Sequence, residues 1–270
     1  MIKLPSLPLD ASAATDLSQW QVEIDSISDY ETRVNEGKRL FGSRNNKRNS
    51  TFINVREVLT KMCHGHKRCG YCEDSVADEV EHIAPKDLYP EAVFSWKNYL
   101  YACGPCNGPK NNKYAVVKSI PSAQVVDVTR HRNAPVLPPI AGQPALINPR
   151  LEDPLSFLWL DIANTFVFLP MEGLSRENEL RAEYTIKVLR LNHRDYLVDS
   201  RRTAFGSYRS RLREYIEEKA NGADQLLLNL RQQELRNLGH RTVWLEMQRQ
   251  HRLYPVLDSL FSQAPEALAW

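Results

Sequence analysis

Cys69-Gly70-Tyr71-Cys72, Val80-Glu81-His82-Ile83-Ala84-Pro85-Lys86 and Cys103-Gly104-Pro105-Cys106-Asn107-Gly108-Pro109-Lys110 together decide how this chain is read. The first and last of these stretches are CxxC knuckles, with 30 residues between them. Four thiolates in two such pairs match the tetrahedral set that zinc prefers, with Zn–S near ~2.3 Å. Gly and Pro between the cysteines suit the tight turns that aim both sulfurs of a pair at one ion. Four thiolates leave no open coordination position. Cys69, Cys72, Cys103 and Cys106 are therefore expected to hold a structural Zn2+, a staple and not a catalyst. Any chemistry must come from the residues between and just after the knuckles.

All five cysteines of the chain lie between positions 63 and 106. An odd, tightly clustered set argues for a metal site over a disulfide framework. Cys63-His64-Gly65-His66 raises the question of a second metal site. It lies outside the knuckle spacing and reads as a loop with a free thiol.

The chain has 270 residues, of which 42% are hydrophobic, enough for one large or two modest domains. A quarter of the residues are charged and the net charge is only +2, so any nucleic-acid footprint must be local. Lys38, Arg39, Arg44, Lys47 and Arg48 form one acid-free basic run, and Lys118, Arg130, Arg132 and Arg150 stand against Asp127 in another. Both runs read equally as solvated loops or as phosphate contacts. Met1–Asp10 has no continuous apolar stretch, and apolar runs elsewhere fall short of the ~20 residues a membrane span needs. A soluble, cytoplasmic chain without a membrane segment is expected.

Apolar periodicity predicts helices over Ser28–Leu40 and Thr51–Met62, with a polar loop at Gly42–Asn49 and an irregular or docked segment over residues 1–20. Six prolines between Lys118 and Pro149 predict an extended connector. Thr165–Leu169 reads as a strand. Ser175 is placed to cap a helix carrying Leu180, Tyr184, Val188 and Leu191, and further helices are expected over 194–220, 223–238, 240–250 and 255–262, broken at Gly222 and Gly239. The expected division is 1–62 mainly helical, 63–117 a core holding the knuckles, 118–150 the connector and 151–270 a helical domain.

From Cys69 to Lys113 the chain resembles the HNH endonuclease family. That family places an acidic–His pair on a strand, an Asn on the following loop, and an Asn or His at the start of a helix. Its zinc-stapled branch frames these with two CxxC pairs and ends in Cys-Asn-x-x-Lys, as Cys106-Asn107-Gly108-Pro109-Lys110 does here. The resemblance implies an α+β fold, a small ββα-metal core embedded in a mostly helical protein. It implies that His82 is the general base acting on the attacking water. It implies that Glu81 and Asn107 hold one catalytic Mg2+ or Mn2+ through oxygen. Asn98 would fix the loop and orient His82 by hydrogen bonding, and Lys110, with Lys113 as a weaker candidate, would contact phosphate. Where the family usually has Asp, this chain has Glu81. The extra methylene leaves open a contact to the ion through water.

The flanks narrow the resemblance. Tyr89-Pro90, Phe94-Ser95-Trp96-Lys97-Asn98, Ile147-Asn148-Pro149-Arg150, Asp153-Pro154 and Ile186 to Asn192 are similar to the HNH subunits of Septu-type and retron-associated antiphage defence systems. This implies a nuclease working with an ABC/SMC-like ATPase partner. The chain carries no GxxxxGK[ST] loop, so a nucleotide switch belongs to the partner. Three readings stay open: a nuclease acting on DNA, one acting on RNA such as tRNA, and a zinc-stapled nucleic-acid- or partner-binding module without activity.

Overall fold

Five helices begin at a short polar side chain that closes back on the backbone three residues on, satisfying a donor that the first helical turn leaves free. In the computed structural model, which describes residues 1–270, Asp10 opens α1 (Ala11–Asp25), Asp29 opens α2 (Tyr30–Arg44) and Asn49 opens α3 (Ser50–Met62). Ser175 opens α5 (Arg176–Val188), as its sequence position predicts, and Asp224 opens α7 (Gln225–Asn237). Between the third and fifth helices lie β1 (Glu79–His82), β2 (Tyr99–Ala102), α4 (Gly104–Lys110), β3 (Ala115–Lys118), β4 (Gln124–Asp127), β5 (Gln143–Pro144), β6 (Leu158–Leu160) and β7 (Phe168–Pro170). The chain closes with α6 (Asp195–Ala220), α7, α8 (Arg241–Gln250) and α9 (Pro255–Gln263), close to the expected spans. The fold is α+β, with small antiparallel sheets set among helices.

Three expectations shift. Residues 11–25 are helical where an irregular segment is expected, because Ala13, Leu17 and Ile24 recur on one buried face behind the Asp10 cap. The second helix starts at Tyr30 and runs on to Arg44, shortening the polar loop to residues 45–49. The proline-rich connector is extended but not structureless: β3 pairs antiparallel with β4 and with β5. β4 and β5 are edge strands with mainly exposed residues, the place where proline is tolerated. Thr165–Leu169 contributes β7 from Phe168 on, paired with β6.

One contiguous cluster of buried apolar residues runs from Leu4 and Leu17 through the knuckle cysteines to Leu257 and Ala267, passing through each of the four segments. The ends of the connector are riveted into it. Arg150 is buried, stacks on Trp96 at 4.5 Å, and donates to the carbonyls of Tyr99 (2.6 Å) and Trp96 (3.3 Å). Arg150 is thus an internal clasp and not a free cation for phosphate. No helix is long and apolar enough to cross a membrane.

Candidate functional site

β1 and β2 pair antiparallel, with Glu81 opposite Leu100 and His82 opposite Tyr99, and α4 follows two residues later. The first knuckle docks on this hairpin through Gly70, whose N–H donates to the Tyr101 carbonyl at 2.9 Å. A Cβ at position 70 would lie 3.0 Å from the Leu100 side chain, so glycine is what permits the approach. Cys103 lies between β2 and α4 and Cys106 sits on α4, which brings the second pair to the first. All four Sγ atoms are buried and lie within 4.8 Å of one another, with Cys72 and Cys103 3.8 Å apart. A tetrahedron with ~2.3 Å Zn–S bonds has S···S edges of about 3.8 Å, whereas a disulfide needs about 2.05 Å. The donor set fits a metal such as zinc. Cys63 is separate from it, donating to the Arg68 carbonyl at 2.9 Å, and with His64 and His66 it forms no second cluster.

The thiolates are supported from the far end of the sequence. Arg194, at the start of α6, is buried and donates to Cys106 Sγ at 3.3 Å. Glu73, directly after the first knuckle, accepts from the Thr242 N–H at 3.1 Å and from the Thr242 hydroxyl, capping the first turn of α8. Sequence reading singled out neither Arg194 nor Glu73. Nothing in local spacing marks a contact across 88 residues.

Side chains alternate along β1, so Glu79 and Glu81 share the face toward α4 while His82 turns to the other side. Asn107 and Lys110, three apart on the helix, meet them as a ladder: the Asn107 amide nitrogen donates to Glu79 and the Lys110 ammonium to Glu81 Oε1. Lys110 also donates to the His82 carbonyl at 2.8 Å, and its side chain is fully buried. The ammonium is thus an internal counter-ion and not a surface group placed for phosphate; Lys113 is exposed. Burial raises the Glu81 carboxyl above the usual carboxylate range, with Lys110 and Lys86 opposing that shift. The ladder leaves Glu81 Oε2 and Asn107 Oδ1 without protein hydrogen bonds. These are two hard oxygen donors of the kind Mg2+ and Mn2+ take.

His82 packs edge-on against Phe41 of α2 at 4.4 Å and against Tyr99 at 5.2 Å. Its Nε2 lies 2.9 Å from the Val93 carbonyl. A carbonyl only accepts, so Nε2 carries the proton and Nδ1 keeps its lone pair, with no protein partner. Burial, reinforced by the charges of Lys86 and Lys110, pushes the ring pKa down to about 3, so the imidazole is neutral. The Asn98 side chain accepts from the Ala84 N–H at 2.8 Å and donates to the carbonyls of Ala84 (3.0 Å) and Ala92 (2.9 Å). No hydrogen bond joins the Asn98 side chain to His82. Asn98 bonds the Ala92 carbonyl, next in the chain to the Val93 carbonyl that accepts from His82, in place of the direct bond expected.

Glu81, His82 and Asn107 line one mostly polar cleft of about 230 Å³, shared with Lys38, Lys86 and Asp87. The Asp87 carboxylate is held by Lys38 at 2.6 Å, Arg130 at 3.1 Å and the Asn112 amide at 3.2 Å. These cations keep it below the ordinary carboxylate range against the opposing effect of burial.

Comparison with known proteins adds one similarity. The Septu protein PtuB of Bacillus thuringiensis is 41% identical over 61 residues. The match is local. It takes in 21% of this chain, which spans just under a quarter (23%) of the length of that relative. No family model matches the chain, and no solved structure does.

Proposed function

We propose that the chain is a metal-dependent endonuclease of HNH type that hydrolyses DNA phosphodiester bonds, and that it serves antiphage defence beside an ATPase partner. The observation that carries the chemistry is the placement of His82: its proton is set on Nε2 by the Val93 carbonyl, its Nδ1 has no protein partner, and the residue lines one cleft with Glu81 and Asn107. The similarity to a Septu protein supports the defence role.

In this reading a water oxygen attacks the scissile phosphorus while His82 Nδ1 takes the water's proton, and the P–O3′ bond breaks to release the 3′-oxygen, which solvent protonates. Mg2+ or Mn2+ held by Glu81 Oε2 and Asn107 Oδ1 would supply charge neutralisation at the phosphate and the leaving oxygen. Phe41 and Tyr99 exclude water from the far side of the imidazole. Lys110 keeps the buried Glu81 carboxylate from standing uncompensated.

Supercoiled plasmid incubated with the zinc-loaded chain and Mg2+ or Mn2+, beside a His82→Ala protein and an EDTA control, tests the proposal. Metal-dependent nicking or linearisation that His82→Ala abolishes is the expected result. No cleavage of plasmid, or of RNA run in parallel, even with the ATPase partner added, would leave an inactive binding module.

A further inference from the structure

We infer that the proline-rich connector forms one wall of a track for the polynucleotide backbone, leading from the His82 cleft across Lys113 to Arg130 and Arg132. The inference rests on the reading of the substrate as a polynucleotide and adds where it lies. A second, larger cleft of about 640 Å³ adjoins the one at His82 and shares Lys38, Asp87, Asn111 and Asn112 with it. Its far wall is the connector from Asp127 to Val136.

The lining is the wrong kind for a small apolar ligand, which takes an enclosed, mostly hydrophobic pocket. Ala134 and Val136 are its apolar residues. Lys113 and Arg132 supply positive charge outside any ion pair, Lys38 and Arg130 share the Asp87 carboxylate, and Asp127 is the other acid of the lining. The Arg130 guanidinium is nine-tenths buried, one terminal nitrogen is spent on Asp87, and the other, Nη1, is enclosed without any partner. Because Nη1 is enclosed, Arg130 adds positive charge to the cleft wall and not a direct phosphate contact. A cation-lined, open, polar cleft that shares a wall with the proposed phosphodiesterase centre fits a chain of phosphates. It contacts the backbone and reads no sequence.

The test is binding of a fluorescein-labelled mixed-sequence DNA duplex by the full-length, zinc-loaded His82→Ala protein, followed across a salt series. The charge-reversed pair Lys113→Glu with Arg132→Glu, both at exposed positions, is compared with Arg213→Glu and Arg252→Glu, exposed on the helical half. The track predicts at least a ten-fold rise in Kd near ~0.1 M salt for the first pair. It also predicts a slope of log K against log salt that is shallower by about two, one per lost phosphate contact. The control pair has the same net charge and should move the slope by less than half as much. Equal effects from the two pairs would overturn the track even if the native chain cuts plasmid. A selective effect of the first pair, in a chain that cuts nothing, would uphold the track and sink the nuclease proposal alone.

Discussion

The knuckle cysteines and the residues around His82 are built on the same hairpin and helix, yet they use their polar atoms in opposite ways. The four thiols face one another in a buried cluster, with Arg194 donating to Cys106 from outside, and every sulfur is turned inward. Around His82 each side chain spends one atom on the protein and keeps one in hand: Nε2 on Val93, Oε1 on Lys110 and the Asn107 amide nitrogen on Glu79. A set whose donors are all committed to one point can staple a fold. A set with half its donors unspent can act on something that comes and goes.

Removing metal from the staple should have the largest effect. Structural zinc contributes on the order of 10 kcal/mol or more to small metal-held folds, so chelation, or Cys103→Ser, should abolish cooperative melting of the region around the hairpin. An unchanged thermal transition after verified metal loss would erase the contrast. His82→Ala should leave zinc content intact and lower cleavage by about 10²–10⁴-fold, the usual weight of a general base. A variant that keeps native cleavage would remove His82 from the chemistry.

The buried ion pair sharpens the comparison further. Lys110→Met strands the Glu81 carboxylate and should cost about 3–5 kcal/mol in urea unfolding, while adding Glu81→Gln should recover much of that loss. Equal stability of the single and double variants would mean the pair is not coupled. The pH dependence of stability carries the next effect. His82 holds a pKa of about 3 in the fold against ~6.5 unfolded, so the unfolded chain takes up the proton first. Its contribution is present above ~6.5 and is lost as pH falls toward 3. Melting temperatures of native and His82→Gln proteins, compared at equal zinc loading, should converge over that window as pH falls. A constant difference would contradict the buried neutral ring. Ser175→Ala, remote from both sites, should cost only ~1 kcal/mol through the α5 cap, a scale against which the other losses can be judged.

What could be read from sequence was whatever is fixed locally. CxxC spacing gave the thiol cluster, and Ser175 and the apolar rows gave the C-terminal helices. The first helix was legible in Asp10, Ala13, Leu17 and Ile24 but was masked by a composition rich in Ser, Ala and Pro. Side-chain destinations were harder. Lys110, Arg150 and Arg194 are long cations that look like surface groups in a sequence, and only tertiary structure shows their charges turned inward onto Glu81, onto backbone carbonyls and onto Cys106. The capping of α8 by Glu73 and the clasp of Lys38 and Arg130 on Asp87 join residues far apart in the chain, and no period or motif encodes such pairings.

The bond from Arg194 to Cys106 bears on how such a chain can be recombined. A crossover anywhere between the second knuckle and α6 would give the sulfur a foreign neighbour and leave a buried guanidinium facing whatever replaced it. The hairpin and the helical half are therefore expected to pass between lineages as one inherited unit. A graft that carries only the CxxC-framed segment into another scaffold would have to bring its own arginine.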